Sequence, residues 1–274
     1  MRLWISLLTV LSCVAQTRFD VASVKPAVVP PGARIRTFMK GGPDTADPGR
    51  ITWTGITLTT VLQRAFALKP FQLTDPDWLS VERYDISATL PSAASKEQFK
   101  QMLQNLLAER FRLAFHRETK ELQGYELVVG RNGSRLAPSK DEGPDVPITE
   151  SPKTDAKGFP VLTAPGLAMM EGVQGTAVVS FLTARAQPVS SLAETLAKEF
   201  RLPVVDKTGL TGRFDFTLEF APQAPGAVTI EAPEDAAPNL ISAVPQQLGL
   251  RLESRKIPVS ILIVDSVDQV PASN

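Results

Sequence analysis

Val204-Val205-Asp206-Lys207-Thr208-Gly209-Leu210-Thr211-Gly212-Arg213-Phe214-Asp215-Phe216-Thr217-Leu218-Glu219-Phe220 decides how the rest of the chain is read. In an extended chain Phe214, Phe216, Leu218 and Phe220 fall on one side, and Arg213, Asp215, Thr217 and Glu219 on the other. A period of two marks a strand with one face on a core and one in water. The residues before it read as a shorter strand, and Gly209 and Gly212 supply turn residues for a hairpin between the two.

Working outward, Ser191-Leu192-Ala193-Glu194 reads as the cap of a helix whose apolar stripe is Leu192, Leu196 and Phe200. Thr176 to Ala184 is a strand before it. Leu240, Ile241, Val244 and Leu248 suggest a last helix, which Pro245 shortens or kinks because it lacks a backbone donor. Leu250 to Glu253 and Val259 to Val264 close the chain as strands. The earlier half repeats this order. Leu58, Leu62 and Phe66 match Leu192, Leu196 and Phe200, and Arg83-Tyr84-Asp85-Ile86 matches Arg213-Phe214-Asp215-Phe216. Met102, Leu103 and Leu106 match Leu240, Ile241 and Val244, and Phe111-Arg112-Leu113 matches Leu250-Arg251-Leu252. Ser95-Lys96-Glu97-Gln98 is a capping box opening the clearest helix. Arg112 to Arg117 and Gly124 to Val129 read as an antiparallel strand pair. The expected fold is α+β, mainly antiparallel sheet with helices on one face. It is built from two pseudo-repeats of strand-helix-strand-strand-helix-strand-strand type, 17–137 and 176–274, joined by a proline-rich linker or long loop at 138–175.

Composition limits what such a fold can do. The chain has 274 residues, 43% hydrophobic and 21% charged, enough for real cores in two units. Lys+Arg and Asp+Glu are both 29, so no basic field exists to hold a nucleic acid. Residues 1–16 have the form of a signal peptide: Arg2, an apolar run from Leu3 to Val14 too short to span a bilayer, and Ala15 or Gln16 at the cleavage point. A second reading takes Cys13 as a lipid anchor. The expected location is periplasmic or extracellular, with no transmembrane segment in the mature chain. Cleavage removes the one cysteine, so the mature fold rests on its core without disulfides.

Three stretches together resemble a known family. They are Phe19-Asp20-Val21-Ala22-Ser23-Val24-Lys25-Pro26, Arg117-Glu118-Thr119-Lys120-Glu121-Leu122, and Val205 to Asp215. The chain is similar over Phe19 to Asp265 to an uncharacterised family of secreted proteins, expanded in soil bacteria of the acidobacterial type, that carries a domain of unknown function. The resemblance implies export. Because some members are fused to membrane sensor metalloproteases, it also implies a sensor-type partnership as one reading. It supplies no catalytic residues. At fold level the units also resemble small periplasmic modules of secretins and TonB-dependent receptors.

Chemistry is sparse. His116 is the single histidine, and Arg112, Arg117 and Lys120 near it in sequence suit it poorly as a general base. No metal site and no cofactor fingerprint is expected. Asp85 and Asp215, related by the repeat, are the one carboxylate pair that a duplicated fold could bring together for hydrolysis. Each has an arginine two residues before it, Arg83 or Arg213, and a structural ion pair accounts for both. Trp78, beside the Asp75-Pro76-Asp77 turn, is either a ligand anchor or a core plug. Asp206, Lys207 and Thr208 have no evident task in a hairpin. The candidate interaction residues are therefore Asp206, Lys207, Thr208, Arg213, Asp215, Trp78, Arg83 and Asp85. The expected function is a non-catalytic exported module binding an envelope protein or peptide. The alternatives are a cell-envelope hydrolase using Asp85 and Asp215, and a periplasmic sensor domain partnering a membrane protease.

Overall fold

The structure, a computed structural model, describes residues 18–28, 37–91, 94–146, 148, 151–175, 177–222 and 237–272. Residues 1–16, read above as a signal peptide with Cys13 as an alternative lipid anchor, lie outside these residues.

The strands in chain order are β1 (Val21–Pro26), β2 (Phe38–Gly41), β3 (Arg50–Ile56), β4 (Leu73–Thr74), β5 (Tyr84–Thr89), β6 (Ala114–Val129), β7 (Ala137–Pro138), β8 (Gly166–Gln174), β9 (Ala177–Gln187), β10 (Val204–Asp206), β11 (Phe214–Phe220) and β12 (Leu250–Ser266). The α-helices are α1 (Leu58–Ala65), α2 (Trp78–Val81), α3 (Lys96–Phe111), α4 (Val189–Phe200) and α5 (Leu240–Ala243). The fold is α+β with mainly antiparallel sheets. It divides into two compact units, 1–118 with 261–274 and 119–260. β6 and β12 are long enough to contribute to both.

Unit 1 is built on a sheet of order β1-β5-β3-β2, antiparallel throughout. Ile51, Trp53, Ile86 and Ala88 point to one side, where Leu58, Val61 and Leu62 of α1 and Met102, Leu103 and Phe111 of α3 complete the core. The alternate residues Lys40, Arg50, Thr52, Thr54 and Ser87 are exposed. α3 begins with the expected capping box: Ser95 Oγ accepts the Gln98 N–H at 3.2 Å and Gln98 Oε1 accepts the Ser95 N–H at 2.8 Å. Trp78 is half-buried and packs against this core. The Tyr84 hydroxyl donates to the Gln269 carbonyl at 2.7 Å. Burial, with the charge of Glu82 second, pushes its phenol up to about 12.

Unit 2 is built on a sheet of order β7-β11-β9-β8, again antiparallel. Phe216, Leu218 and Phe220 are buried, whereas Asp215 and Thr217 are exposed, as the alternation requires. α4 buries Val189, Leu192, Ala193, Leu196 and Ala197. It starts at Val189, with Pro188 as its N-cap, rather than near Ser191; the fixed φ of proline fits the extended conformation of the cap. Pro245 acts as expected: α5 stops after four residues and the chain continues as a π-helical turn, Val244–Leu248.

Several sequence expectations are corrected. β10 and β11 do not form a hairpin. β10 pairs in parallel with β6, whereas β11 pairs with β9 and β7. Gly209 and Gly212 have positive φ, 69° and 98°, but they carry the chain between two sheets. The pair expected at 112–129 is the single strand β6, since Glu118 to Glu121 contains no residue that favours a turn over extension. The two closing strands are likewise one, β12. The stretch 138–175 holds β8, whose alternation is masked by its glycines and methionines.

Candidate functional site

A cavity of about 890 Å³ lies within unit 2 on the water-facing side of its sheet. Its floor is Thr183 and Arg185 of β9 with Asp215 and Thr217 of β11, brought side by side because Thr217 pairs with Thr183. One wall is the segment Ser139 to Glu142, and Leu162 stands opposite.

That wall is held by the sheet beneath it. Arg185 Nε lies 3.3 Å from Asp141 Oδ2, and its Nη1 donates to the Leu162 carbonyl at 2.9 Å. Arg213 Nη1 donates to the Gly143 carbonyl at 3.1 Å, and its Nη2 pairs with Asp145. Gln187 Nε2 reaches the same Asp145 at 2.9 Å. Further along, Phe159 stacks edge-on against Phe181 of β9, with ring centroids 5.2 Å apart. Residues 139–146 and 151–162 thus form a roof fastened to the sheet by two arginines, a glutamine and an aromatic pair. Thr183 Oγ1 is buried with no hydrogen-bond partner among the described residues. A buried hydroxyl left so is costly, by about 1–3 kcal/mol.

Arg213 and Asp215 also share a second task. Ala186 sits at φ 51°, in the left-handed region, where an L side chain is strained. Asp215 Oδ1 accepts the Ala186 N–H at 2.7 Å, and Arg213 Nε donates to the Ala186 carbonyl. The register slips between Phe214 and Phe216, so Ala186 is the bulged residue that these side chains hold. In unit 1, Asp85 Oδ1 accepts the Gly55 N–H at 2.8 Å and Arg83 Nη1 donates to the Gly55 carbonyl at 3.2 Å. Gly55 has φ 61° and lies in the register shift between Trp53 and Ile56. The ion pair expected within each Arg-x-Asp is therefore replaced: both side chains converge on one backbone residue. Asp85 serves this role in unit 1 and Asp215 in unit 2.

The remaining candidates separate. Asp206 Oδ1 accepts the Thr208 N–H at 2.9 Å and the Thr208 hydroxyl at 2.7 Å, and Thr208 Oγ1 accepts the Leu210 N–H at 3.2 Å. These are consecutive side-chain turns that satisfy the backbone between β10 and β11. The exposed Lys207 donates its own N–H to the Leu127 carbonyl at 2.8 Å. Of the eight candidates, Asp215 lines the cleft, and Arg213 anchors its roof through Gly143 and Asp145. Sequence reasoning missed Thr183, Arg185 and the Ser139 to Glu142 wall. The polar Thr183, Arg185 and Gln187, each two apart on one face of a largely apolar strand, are the available signal.

His116 Nδ1 lies 2.7 Å from Asp265 Oδ1 on the exposed surface of unit 1, away from the residues of the cleft in sequence and in unit. Among the described residues, no three His, Cys, Asp or Glu side chains are grouped to hold a metal ion, and no helix is long and apolar enough to cross a membrane.

Fold and cleft together define a class: a two-unit α+β protein with a roofed polar cleft on one sheet. The family described as a protein of unknown function, DUF3738, matches residues 59–267, well over half the chain. The protein belongs to the DUF3738 family. No curated protein and no solved structure matches it.

Proposed function

We propose that the protein is an exported, non-catalytic binding module, and that the roofed cleft of unit 2 receives a polar segment of an envelope protein or peptide. The observation that carries this reading is the cleft itself. It is a volume in the range of ligand sites, its floor carries the exposed Thr217, the Arg185 guanidinium and the Asp215 carboxylate, and its wall is fixed in place by Arg185 and Arg213. Asp215, the one carboxylate of the proposed hydrolytic pair found there, already holds the Ala186 N–H. That engagement favours binding over acid–base work.

The two units also support an origin by duplication. The sheet orders β1-β5-β3-β2 and β7-β11-β9-β8 follow the same connections, and each Arg-x-Asp clamps a positive-φ residue of the neighbouring strand. On this reading one copy kept a bare sheet face and the other acquired the roof.

The test is recovery of a partner from native envelope by the wild-type protein and by Thr183→Arg, which fills the cleft. Loss of the partner with an unchanged melting profile is expected. Steady turnover of an ester, glycoside or peptide, abolished by one substitution, would overturn the non-catalytic assignment.

A further inference from the structure

We propose that the open edge of β8 joins a second copy of this chain, β8 against β8 in antiparallel pairing. Among the described residues β8 ends its sheet, with β9 as its one strand neighbour. It is nine residues long, whereas β2, at the matching edge of unit 1, has four. Short edges, charge, proline and bulges are the usual guards against edge-to-edge association. β8 reads Gly166-Leu167-Ala168-Met169-Met170-Glu171-Gly172-Val173-Gln174, with no proline and a single charge.

The hairpin fixes which backbone groups are free. Gln174 pairs with Ala177 across the turn at Gly175, so the even-numbered residues of β8 bond to β9 and the odd-numbered ones present N–H and C=O outward. Pro165, just before the strand, still has its carbonyl covered by the Val146 N–H at 3.0 Å. Beyond it, Met169, Glu171 and Val173 are the outward residues, and all three side chains are exposed. Met169 is 41% and Val173 71% exposed, with Val178 of the adjoining strand at 49%. Met169 and Val173, which flank Glu171 along the open edge, thus leave apolar surface exposed beside the open hydrogen bonds.

Charge selects the register. An antiparallel pair centred on Glu171 would oppose Glu171 to its own copy, which is destabilising. Centring on Met170 sets each Glu171 opposite Met169 and Leu167 opposite Val173, and keeps every partner inside β8. The chain has a formal net charge of zero, so two copies meet without long-range repulsion. A Cβ at Gly172 would lie 3.1 Å from the Phe181 ring, so a guarding side chain there would have to push that ring aside.

In this register Met170 faces Met170 of the other copy as a non-hydrogen-bonded pair, the closer type, with Cα atoms about 4.5 Å apart and within disulfide reach. Met170→Cys, with Cys13→Ser, is expected to form a covalent dimer on mild oxidation, and Met169→Cys is expected to form far less. Glu171→Pro removes an outward donor without touching the bonds to β9. It should shift sedimentation from dimer to monomer while the circular dichroism stays unchanged. A wild-type protein that sediments as a monomer at the highest attainable concentration overturns the proposal. Equal crosslinking at positions 169 and 170 does so as well.

Discussion

The sheets of the two units have the same strand order and different outer faces. In unit 1 the outer side chains Lys40, Arg50, Thr52, Thr54 and Ser87 stand in solvent. In unit 2 the corresponding side is roofed by residues 139–146 and 151–162, and a cleft results. The clamping arginines show the consequence most directly. Arg83 holds the Gly55 carbonyl, and its Nε is buried without a partner among the described residues. Arg213 holds the Ala186 carbonyl and spends its remaining nitrogens on Gly143 and Asp145 of the roof. The same residue pair is a structural clamp in one unit, and a clamp plus a roof anchor in the other. The comparison teaches that the cleft is a product of the segment between β7 and β8, not of the sheet.

The comparison can be broken at several strengths. The core beneath each sheet should respond alike. Leu62→Ala in α1 and Leu196→Ala in α4 remove fully buried side chains, and each is expected to cost about 2–5 kcal/mol in urea unfolding. A large difference would show that the helices carry unequal shares of the two cores. Next come the clamps. Asp85→Ala and Asp215→Ala each strand a backbone N–H, at a cost of about 1–3 kcal/mol, and the Asn variants, which keep an acceptor, should lose less. The bulged residues give a smaller effect of opposite sign. Gly55→Ala puts a Cβ at φ 61° and should destabilise by about 1 kcal/mol, whereas Ala186→Gly relieves φ 51° and should stabilise by a similar amount. Two changes of the same sign would contradict equivalence of the bulges.

The smallest effect depends on pH. Glu199 of α4 has its carboxyl raised above the ordinary glutamate value, first by burial and then by the charge of Glu171. A raised carboxyl means that the folded state holds its proton longer than the unfolded chain. Stability therefore falls as pH rises from the ordinary glutamate range through the raised value. Glu199→Gln should raise the melting temperature at neutral pH, and the gain should vanish on acidification below the ordinary glutamate range. Calorimetry across that window checks the sign.

Much of the fold could be read from the chain because its signals are local. Ser95 to Gln98 caps α3 by bonds within four residues, and the phenylalanine alternation places β11. The partner of a strand is not local. Val204–Asp206 and Phe214–Phe220 are neighbours in sequence, yet they pair in different sheets. The long strand β6 reads as two because its polar middle resembles a hairpin end. The site was less legible still. Arg213 and Asp215 stood out by their spacing, but their targets, Ala186, Gly143 and Asp145, lie 27 to 70 residues away. The roof lies in a proline-rich stretch whose order comes from Arg185, Arg213 and Phe181 rather than from its own periodicity.

The central claim is that the roofed cleft of unit 2, and not the bare face of unit 1, is where the protein binds. Nuclear magnetic resonance of the labelled protein titrated with a panel of polar peptides tests it most directly. The expected result is a set of shifts centred on Thr183, Arg185 and Thr217, lost in Thr183→Arg. Shifts centred on Thr52, Thr54 and Ser87, or no shifts at all, would contradict it.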